Sequence, residues 1–302
     1  MTTPRSQPPD QPREAEPAPA AARSFDQVTD AYARARPSYP REAAQWLTGG
    51  LAGGLAGGLA GGTTGVVLEL AAGTGKLTGQ LRALGHRLVA TDPSAPMLHR
   101  LTLSLPGTPV ALATAESLPV ATRSVDVVVA AQAFHWFEVG RALPEIARVL
   151  RPGGSLALVW NHRDERIPWV RRLGHLIGSA PGPAQMPDPT TTLVRSCLFG
   201  FVEATSFRFW QPLNRESLRD LVVSRSHVAL MGPIERERVL RKVDELYDGY
   251  GRGADGMLLP YLTRCYRTVV LPQTDAPPAR SQAAPRPGPD DVDTDALLID
   301  FR

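Results

Sequence analysis

The sequence predicts an α/β protein with a mostly parallel, doubly wound β-sheet that carries helices on both faces. Short apolar runs that read as strands occur at 66–68, 87–91 and 125–131. The last of these runs is continuous and β-branched, which is typical of a parallel strand that is buried on both faces. A chain of 302 residues is long enough to bury the core of such a sheet and still leave short appendages.

The segment 66–78, VVLELAAGTGKLT, predicts the first strand, a tight loop and the start of a helix. Gly73 and Gly75 permit backbone angles that other residues resist, and they let a ligand lie against the main chain. The carboxylate of Glu69, just ahead of the loop, repels a phosphate and attracts a cation. The segment therefore predicts a ligand site that favours a cationic group.

Two known nucleotide loops fit this segment poorly. A phosphate-binding P-loop requires G-x-x-x-x-G-K-[ST], but Leu70 stands at the first glycine position and Leu77 at the hydroxyl position. The dinucleotide pattern G-x-G-x-x-G begins at Gly73, but it has Thr78 where a small residue is needed. The P-loop is excluded, and the dinucleotide pattern remains a partial match.

A third loop fits better. Residues 69–75 resemble the E/D-x-G-x-G-x-G loop of class I S-adenosylmethionine methyltransferases, with Ala71 in place of the first glycine. An acidic residue and exposed backbone carbonyls suit a ligand that carries an ammonium and a sulfonium but no phosphate. An ordinary glycine-rich turn of an α/β protein is the alternative for this loop taken alone.

The strands that follow extend the predicted site. The second strand, 87–91, ends at Asp92, about 20 residues beyond the loop, where α/β nucleotide sites bind ribose hydroxyls. An aspartate before a proline can also be a simple turn residue. A third short apolar run precedes residues 113–119, the strand 125–131 leads into 132–137, and a turn at 150–154 precedes the strand 155–160.

In this order the segments resemble the methyltransferase type 11 branch of the class I S-adenosylmethionine-dependent methyltransferases, over about residues 25–271. Within that branch, three segments are similar to the trans-aconitate methyltransferase-like group: 32–40 (YARARPSYP), 132–137 (QAFHWF) and 158–164 (LVWNHRD). Residues 224–226 (SRS) fit a pattern of the same group.

The resemblance implies a seven-stranded, mostly parallel Rossmann-like sheet with its site at the carboxyl ends of the strands. The last two strands are expected at 202–211 and 263–271, the final one antiparallel. Residues 215–232 and 234–250 carry helical periodicity and are expected to form a lid over the acceptor. Residues 32–40 would close the other side.

The implied cofactor is S-adenosyl-L-methionine, and no metal is expected. The residues assigned to the cofactor are Tyr32, Arg36, Glu69, Ala71, Gly73, Gly75, Asp92, Ala115, Glu116 and Gln132.

The assigned catalytic and acceptor residues are His135, Trp136 and Arg225. His135, taken as the only histidine at a strand end of the site, is either a general base or a neutral residue that shapes the pocket. Trp136 and Trp160 are expected to wall the pocket. Arg225, placed on a lid helix, either pairs with an acidic acceptor or is a solvated helix residue.

The predicted function is S-adenosylmethionine-dependent methyl transfer to a small-molecule acceptor, in particular to a carboxylate oxygen of an acidic metabolite. One alternative is a hydroxyl or amine methyltransferase that uses His135 as its base. Further alternatives are a nicotinamide-dependent oxidoreductase and a non-catalytic binding protein on the same fold. The identity of the acceptor and the oligomeric state stay open.

Composition predicts a cytoplasmic enzyme without nucleic-acid or membrane partners. The net charge is +3, and the basic residues are scattered arginines rather than a basic stripe with interleaved aromatics. Cys197 and Cys265 are isolated, which argues against a metal site or a disulfide framework. We expect no signal peptide and no membrane span, since the only long run of small and apolar residues, 51–62, is rich in glycine.

Three segments are expected to lie outside the packed core. Residues 1–24 and 272–302 are low-complexity tails, and the second tail ends in an acidic and hydrophobic segment, 290–302. Residues 51–62 repeat LAGG three times and are expected to form a surface loop inside the domain 25–271.

Overall fold

The computed structural model describes residues 36–49, 65–178, 188–250 and 256–272. These residues form the strands β1 (Val66–Leu70), β2 (Arg87–Asp92), β3 (Val110–Leu112), β4 (Val125–Ala131), β5 (Leu150–Arg163), β6 (Phe199–Leu213) and β7 (Met257–Val270). The helices are α1 (Arg41–Leu47), α2 (Lys76–Ala83), α3 (Ala95–Ser104), α4 (Val139–Val149), α5 (Pro168–Leu176), α6 (Thr190–Arg195), α7 (Arg215–Val223), α8 (Ser226–Ala229) and α9 (Pro233–Tyr250). One 3₁₀ turn, Phe134–Trp136, follows β4.

The strands form one sheet in the order β3-β2-β1-β4-β5-β7-β6. The pairs β1–β2, β1–β4, β2–β3 and β4–β5 are parallel, whereas β7 is antiparallel to both β5 and β6. The seven-stranded, mostly parallel, doubly wound sheet with an antiparallel final strand is therefore confirmed. Because β1, β2, β4 and β5 run parallel, the loops that follow them all lie at the carboxyl ends of the strands. Such sheets bind their ligands there.

Alternate residues of the central strands pack on opposite faces of the sheet. Leu68, Val128 and Leu158 join α4 in one buried cluster, whereas Val67 and Val129 join α1 and α2 in another. Because β1 is buried along its whole length, its sequence reads as a continuous apolar run apart from Glu69.

A third buried cluster holds the helices that the sequence predicts as a lid. Leu173 of α5, Leu221 of α7 and Val243 of α9 pack against the outer end of β7, around Leu259 and Tyr261. The part of β7 that carries Leu259 and Tyr261 extends beyond the predicted strand, and β6 and β5 are also longer than predicted. These extensions supply the platform for the helices.

Two local predictions differ from the structure. The turn predicted at 150–154 belongs to β5, where the pairing with β4 shifts register between Val125 and Val127 and residues 151–154 bulge out. The helical stretch predicted at 215–232 is divided into α7 and α8, and Arg225 lies in the turn between them rather than on a helix. The Arg225 amide donates to the Val222 carbonyl there.

Several predicted features lie outside the described residues. They are the tails at 1–24 and 273–302, the LAGG repeat at 51–62 and the cofactor residue Tyr32. Among the helices that the structure describes, none combines the length and the apolar composition that crossing a membrane requires.

Candidate active site

The loop between β1 and α2 adopts the backbone that its glycine pattern predicts. Gly73 and Gly75 have φ angles of 57° and 85°, in the left-handed region. A Cβ at Gly75 would lie 2.9 Å from Leu101 Cγ, whereas a Cβ at Gly73 would meet no atom within 4 Å. Gly75 is thus required by packing against α3, and Gly73 leaves open space beside the main chain.

Ala71 occupies the first glycine position of the loop pattern with a φ of 51°. An L-residue in this region costs about 1–2 kcal/mol. Gln132, at the end of β4, is also left-handed, with a φ of 58°. Two non-glycine residues in this conformation therefore lie at the carboxyl edge of neighbouring strands, and such strained positions cluster at functional sites.

Asp92 lies at the end of β2, next to the loop. Its Oδ2 accepts a hydrogen bond from the Gly73 amide at 2.8 Å, and its Oδ1 accepts one from the Ser94 amide at 2.8 Å. The sequence predicts either a ribose-binding role or a simple turn role for this carboxylate. The structure adds that Asp92 also fixes the glycine loop to the start of α3.

Glu69 is 1% exposed beneath the loop, and its Oε2 accepts a hydrogen bond from Thr78 Oγ1 at 2.7 Å. Burial disfavours the ionised carboxylate and raises the pKa of Glu69 to about 8. The Thr78 hydrogen bond opposes this shift, and the charge of Asp92 adds to it. Thr78, the residue that weakens the match to the dinucleotide pattern, is thus the partner of Glu69.

Three more of the assigned cofactor residues, Ala115, Glu116 and Gln132, follow β3 and β4 at the carboxyl ends of the strands. Ala115, in the loop after β3, is buried in the main core cluster, and the neighbouring Glu116 accepts a hydrogen bond from the Glu138 amide at 2.8 Å. Gln132 Nε2 donates to the Asn161 carbonyl at 3.1 Å and ties the ends of β4 and β5 together.

The 3₁₀ turn after β4 carries His135 and Trp136, both exposed, with their rings 5.0 Å apart. Partial burial lowers the pKa of His135, so its imidazole is neutral near pH 7. The prediction that Trp160 walls the pocket is wrong, because Trp160 is 1% exposed and packs edge-on against Tyr266 in the core.

His135 is not the only histidine at a strand end, because β5 continues through His162. Burial, together with the positive charges of Arg264 and Arg163, lowers the pKa of His162 to about 4. His162 is therefore neutral near pH 7.

The segment 36–40, called the clasp below, crosses the carboxyl edge of the sheet. Ser38 contacts α2 by donating to the Lys76 carbonyl at 3.3 Å, and it contacts β5 by accepting from Asn161 Nδ2 at 2.9 Å. Arg36 Nη2 donates to the Ser224 carbonyl at 3.2 Å, in the turn that precedes α8. The clasp therefore joins α2, β5 and the turn between α7 and α8, the helices that the sequence predicts as part of a lid.

Arg36 and Arg225, which the sequence assigns to different parts of the site, are brought together by this contact. Both interact electrostatically with the hydroxyl of Tyr261, and so does Arg163 at the end of β5. Arg163 and Tyr261 are opposite each other in the β5–β7 ladder. Sequence reasoning missed both residues, although Arg163 is part of the motif at 158–164.

Within the described ranges, no group of three or more histidine, cysteine, aspartate or glutamate side chains is arranged to hold a metal ion. The described cysteines, Cys197 and Cys265, are free thiols.

Comparisons with known proteins agree with the methyltransferase type 11 resemblance read from the sequence. Residues 68–158 match the family model described as a methyltransferase domain. An uncharacterized methyltransferase of Mycobacterium tuberculosis is 42% identical over 253 residues, which cover 82% of this chain and 96% of that protein. An uncharacterized methyltransferase of Schizosaccharomyces pombe is 32% identical over 254 residues, covering 83% of this chain and 98% of that protein.

A solved structure supports the fold. It is that of an Anaeromyxobacter dehalogenans protein provisionally named a type II methyltransferase, and it is 23% identical to this chain with a TM-score of 0.55. The match covers 79% of this chain and 99% of that one.

Proposed function

The chain belongs to the class I S-adenosylmethionine-dependent methyltransferases, and we propose that it methylates a carboxylate oxygen of a small acidic acceptor. The observation that carries the acceptor class is the meeting of Arg36 and Arg225 at the junction of clasp and lid. The similarity of the motifs at 32–40, 132–137 and 158–164 to the trans-aconitate methyltransferase-like group supports the same class.

The residues after β1 and β2 suit S-adenosylmethionine. The open space beside Gly73 admits a ligand against the main chain. The carboxylate of Asp92 lies next to the same loop, and a carboxylate can accept hydrogen bonds from ribose hydroxyls as well as from backbone amides. Glu69 lies beneath the loop, where its ionised form favours a nearby ammonium group. We assign Ala71, Gly75, Ala115, Glu116, Gln132, Arg36 and Tyr32 to the same cofactor site.

The cofactor, when bound, supplies an activated methyl group on a positively charged sulfonium. The contribution of the protein is to position the acceptor oxygen and to exclude water, which together are worth roughly 7–11 kcal/mol in well-oriented reactions. An ionised carboxylate carries no proton that must be removed before it reacts, so no general base is required. A planar guanidinium binds one carboxylate through two parallel hydrogen bonds and leaves another free to face the methyl group.

A screen of carboxylic acids, phenols and amines with labelled S-adenosylmethionine tests this function. We expect methyl transfer to acids that carry more than one carboxylate. The product should be a methyl ester, which alkali hydrolyses. Arg225→Ala should mainly raise KM, because it removes a binding contact. The charge-matched control Arg238→Ala, on the exposed face of α9, should leave KM unchanged. Labelling of neutral acceptors only would contradict the proposal.

A hydroxyl or amine acceptor is the second candidate, and one observation favours it. His135 is neutral near pH 7 because burial lowers its pKa, so its imidazole can accept a proton. On this function, His135→Asn should reduce turnover by a factor of about 10²–10⁴. On the carboxylate function the same variant should lower turnover only modestly, which kcat measurements distinguish.

A further inference from the structure

Lys76, the first residue of α2, carries a charge that the function above does not use. It follows the glycine loop directly, and its side chain is half-buried. Among the residues that the structure describes, none forms a hydrogen bond or an ion pair with its ammonium group. Burial accordingly lowers the pKa of Lys76, and no nearby carboxylate opposes that shift. The fold therefore places an uncompensated cation beside the cofactor loop.

The position of Lys76 in the helix adds to the cost of this charge. The N-terminus of a helix carries a partial positive charge, so a cation there is unfavourable and an anion is favourable. The first turn of α2 holds no acidic residue, and no side chain caps its N-terminus. A bound anion would offset both the helix dipole and the half-burial of the ammonium group. A lysine at this position thus suits a site for a negatively charged ligand.

The clasp shows which side of α2 Lys76 occupies. Gln80, one turn further along α2, donates from Nε2 to Ser38 Oγ at 3.1 Å, and Ser38 in turn donates to the Lys76 carbonyl. Residues four positions apart lie on the same side of a helix, so Lys76 is on the clasp side. Helical side chains lean toward the helix N-terminus, which for α2 is the glycine loop. The ammonium group is therefore directed toward the space between the loop and the clasp.

The ligand assigned to this loop carries one suitable anionic group. S-adenosylmethionine has a carboxylate on the same carbon as its ammonium group, and its adenosine end has no negative charge. Glu69, beneath the loop, favours the ammonium group, whereas Asp92 at the end of β2 is assigned to the ribose. This assignment puts the amino-acid end of the cofactor on the same side of the site as Lys76.

We propose that the ammonium group of Lys76 binds the carboxylate at the amino-acid end of S-adenosylmethionine. This proposal rests on the cofactor assignment within the proposed function and is independent of the class of acceptor. Glu69 and Lys76, on either side of the glycine loop, then pair with the ammonium and the carboxylate of one amino-acid group. A ligand that lacks this carboxylate loses the contact with Lys76.

The test uses the full chain, titrated by calorimetry with S-adenosylhomocysteine and with its decarboxylated analogue, which keeps the adenosine and the amine. The variants are Lys76→Met, which keeps a long unbranched side chain, and Lys76→Gln, a second neutral residue in case the first fails to fold. Lys76→Arg restores the charge. The matched control is Lys242→Met, because Lys242 is the other lysine of the chain and is exposed on α9.

We expect both neutral variants to bind S-adenosylhomocysteine about tenfold or more weakly than the wild type, the effect of removing a charged hydrogen bond. Their affinity for the decarboxylated analogue should equal that of the wild type. Lys76→Arg should recover most of the affinity, and Lys242→Met should behave as the wild type. The neutral variants should melt no lower than the wild type, because they remove a half-buried charge from a helix N-terminus.

Two results would overturn the proposal. An equal loss of affinity for both ligands would make Lys76 a structural residue of the loop. Unchanged affinity for S-adenosylhomocysteine, with a raised KM for the acceptor, would move the contact to the acceptor.

Methyl transfer assays should show a raised KM for S-adenosylmethionine in Lys76→Met, with little change in kcat or in the KM of the acceptor. A wild type that binds neither ligand and transfers no methyl group would end the cofactor assignment itself. That failure is distinct from the loss of the Lys76 contact alone, in which the wild type still binds S-adenosylhomocysteine.

Discussion

Glu69 is the residue whose chemistry depends most on its surroundings. Its pKa of about 8 lies above the ordinary value of 4.5 because burial disfavours the charged carboxylate. The folded protein therefore holds a proton that the unfolded chain releases between these values. The stability that Glu69 contributes is fully present below pH 4.5 and is lost as the pH rises through about 8.

This linkage predicts a pH effect on cofactor binding. A bound cationic ligand favours the ionised carboxylate, so S-adenosylmethionine should bind more tightly as the pH rises from about 6.5 to about 8 and should displace a proton. Calorimetry in two buffers of different ionisation enthalpy measures that proton. Glu69→Gln should abolish both the pH dependence and the proton release. A pH-independent affinity in the wild type would show that the ligand does not sense Glu69.

Asp92 is predicted to bind ribose hydroxyls while it holds the glycine loop. Removing charge-assisted hydrogen bonds costs about 1.5–3 kcal/mol each, so Asp92→Ala should lose at least about tenfold in cofactor affinity. Because the loop contact to Gly73 is lost as well, the ribose contribution needs a double-mutant cycle with the 2′-deoxy analogue of S-adenosylhomocysteine. Removing the 2′-hydroxyl of the ligand should weaken its binding to the wild type and have little effect on its binding to Asp92→Ala. Additive losses would leave Asp92 as a loop-fixing residue only.

Among the elements, the loop between β1 and α2 depends on the helix behind it. A Cβ at Gly75 would approach Leu101 at 2.9 Å and Leu105 at 3.0 Å, and it would also impose a φ of 85° on an L-residue. We predict that Gly75→Ala destabilises the protein by about 2–4 kcal/mol, from overpacking and backbone strain together. Urea unfolding measures this loss. Stability within about 0.5 kcal/mol of wild type, the range of neutral surface substitutions, would contradict the packing argument.

The strands also show which parts of a strand can be predicted from the sequence. The inner parts of β4 and β5 were predictable because continuous apolar runs are needed where both faces are buried. The outer end of β5 was not, because Asn161, His162 and Arg163 are polar and become a strand through pairing with β7. In β7, pairing with β6 extends the strand past Pro260, which reads as a strand breaker.

At the scale of the whole molecule, the site lies where separately packed parts meet. Two clusters cover the faces of the sheet, and a third holds the lid helices on the extended ends of β6 and β7. The cofactor site was predictable from the sequence, because the loop at 69–75 and Asp92 each lie next to their strand in the chain. The approach of Arg36 to Arg225 was not, because the clasp and the turn before α8 are joined only in the folded chain.

The central claim is that S-adenosylmethionine lies against the main chain at Gly73, and a matched pair of alanine substitutions tests it. Gly73 and Gly85 both have left-handed φ angles, 57° and 83°, and a Cβ at either would meet no atom within 4 Å. Gly85 lies between α2 and β2, at the opposite edge of the sheet. Alanine suits the test better than valine, because a β-branched residue at positive φ is a severe outlier.

We predict that Gly73→Ala and Gly85→Ala each lose about 1–2 kcal/mol of stability from the same backbone strain. Calorimetry with S-adenosylhomocysteine should then show a loss of at least about tenfold in affinity, or ~1.4 kcal/mol, for Gly73→Ala and wild-type affinity for Gly85→Ala. Equal affinities in the two variants would contradict the placement of the cofactor at this loop.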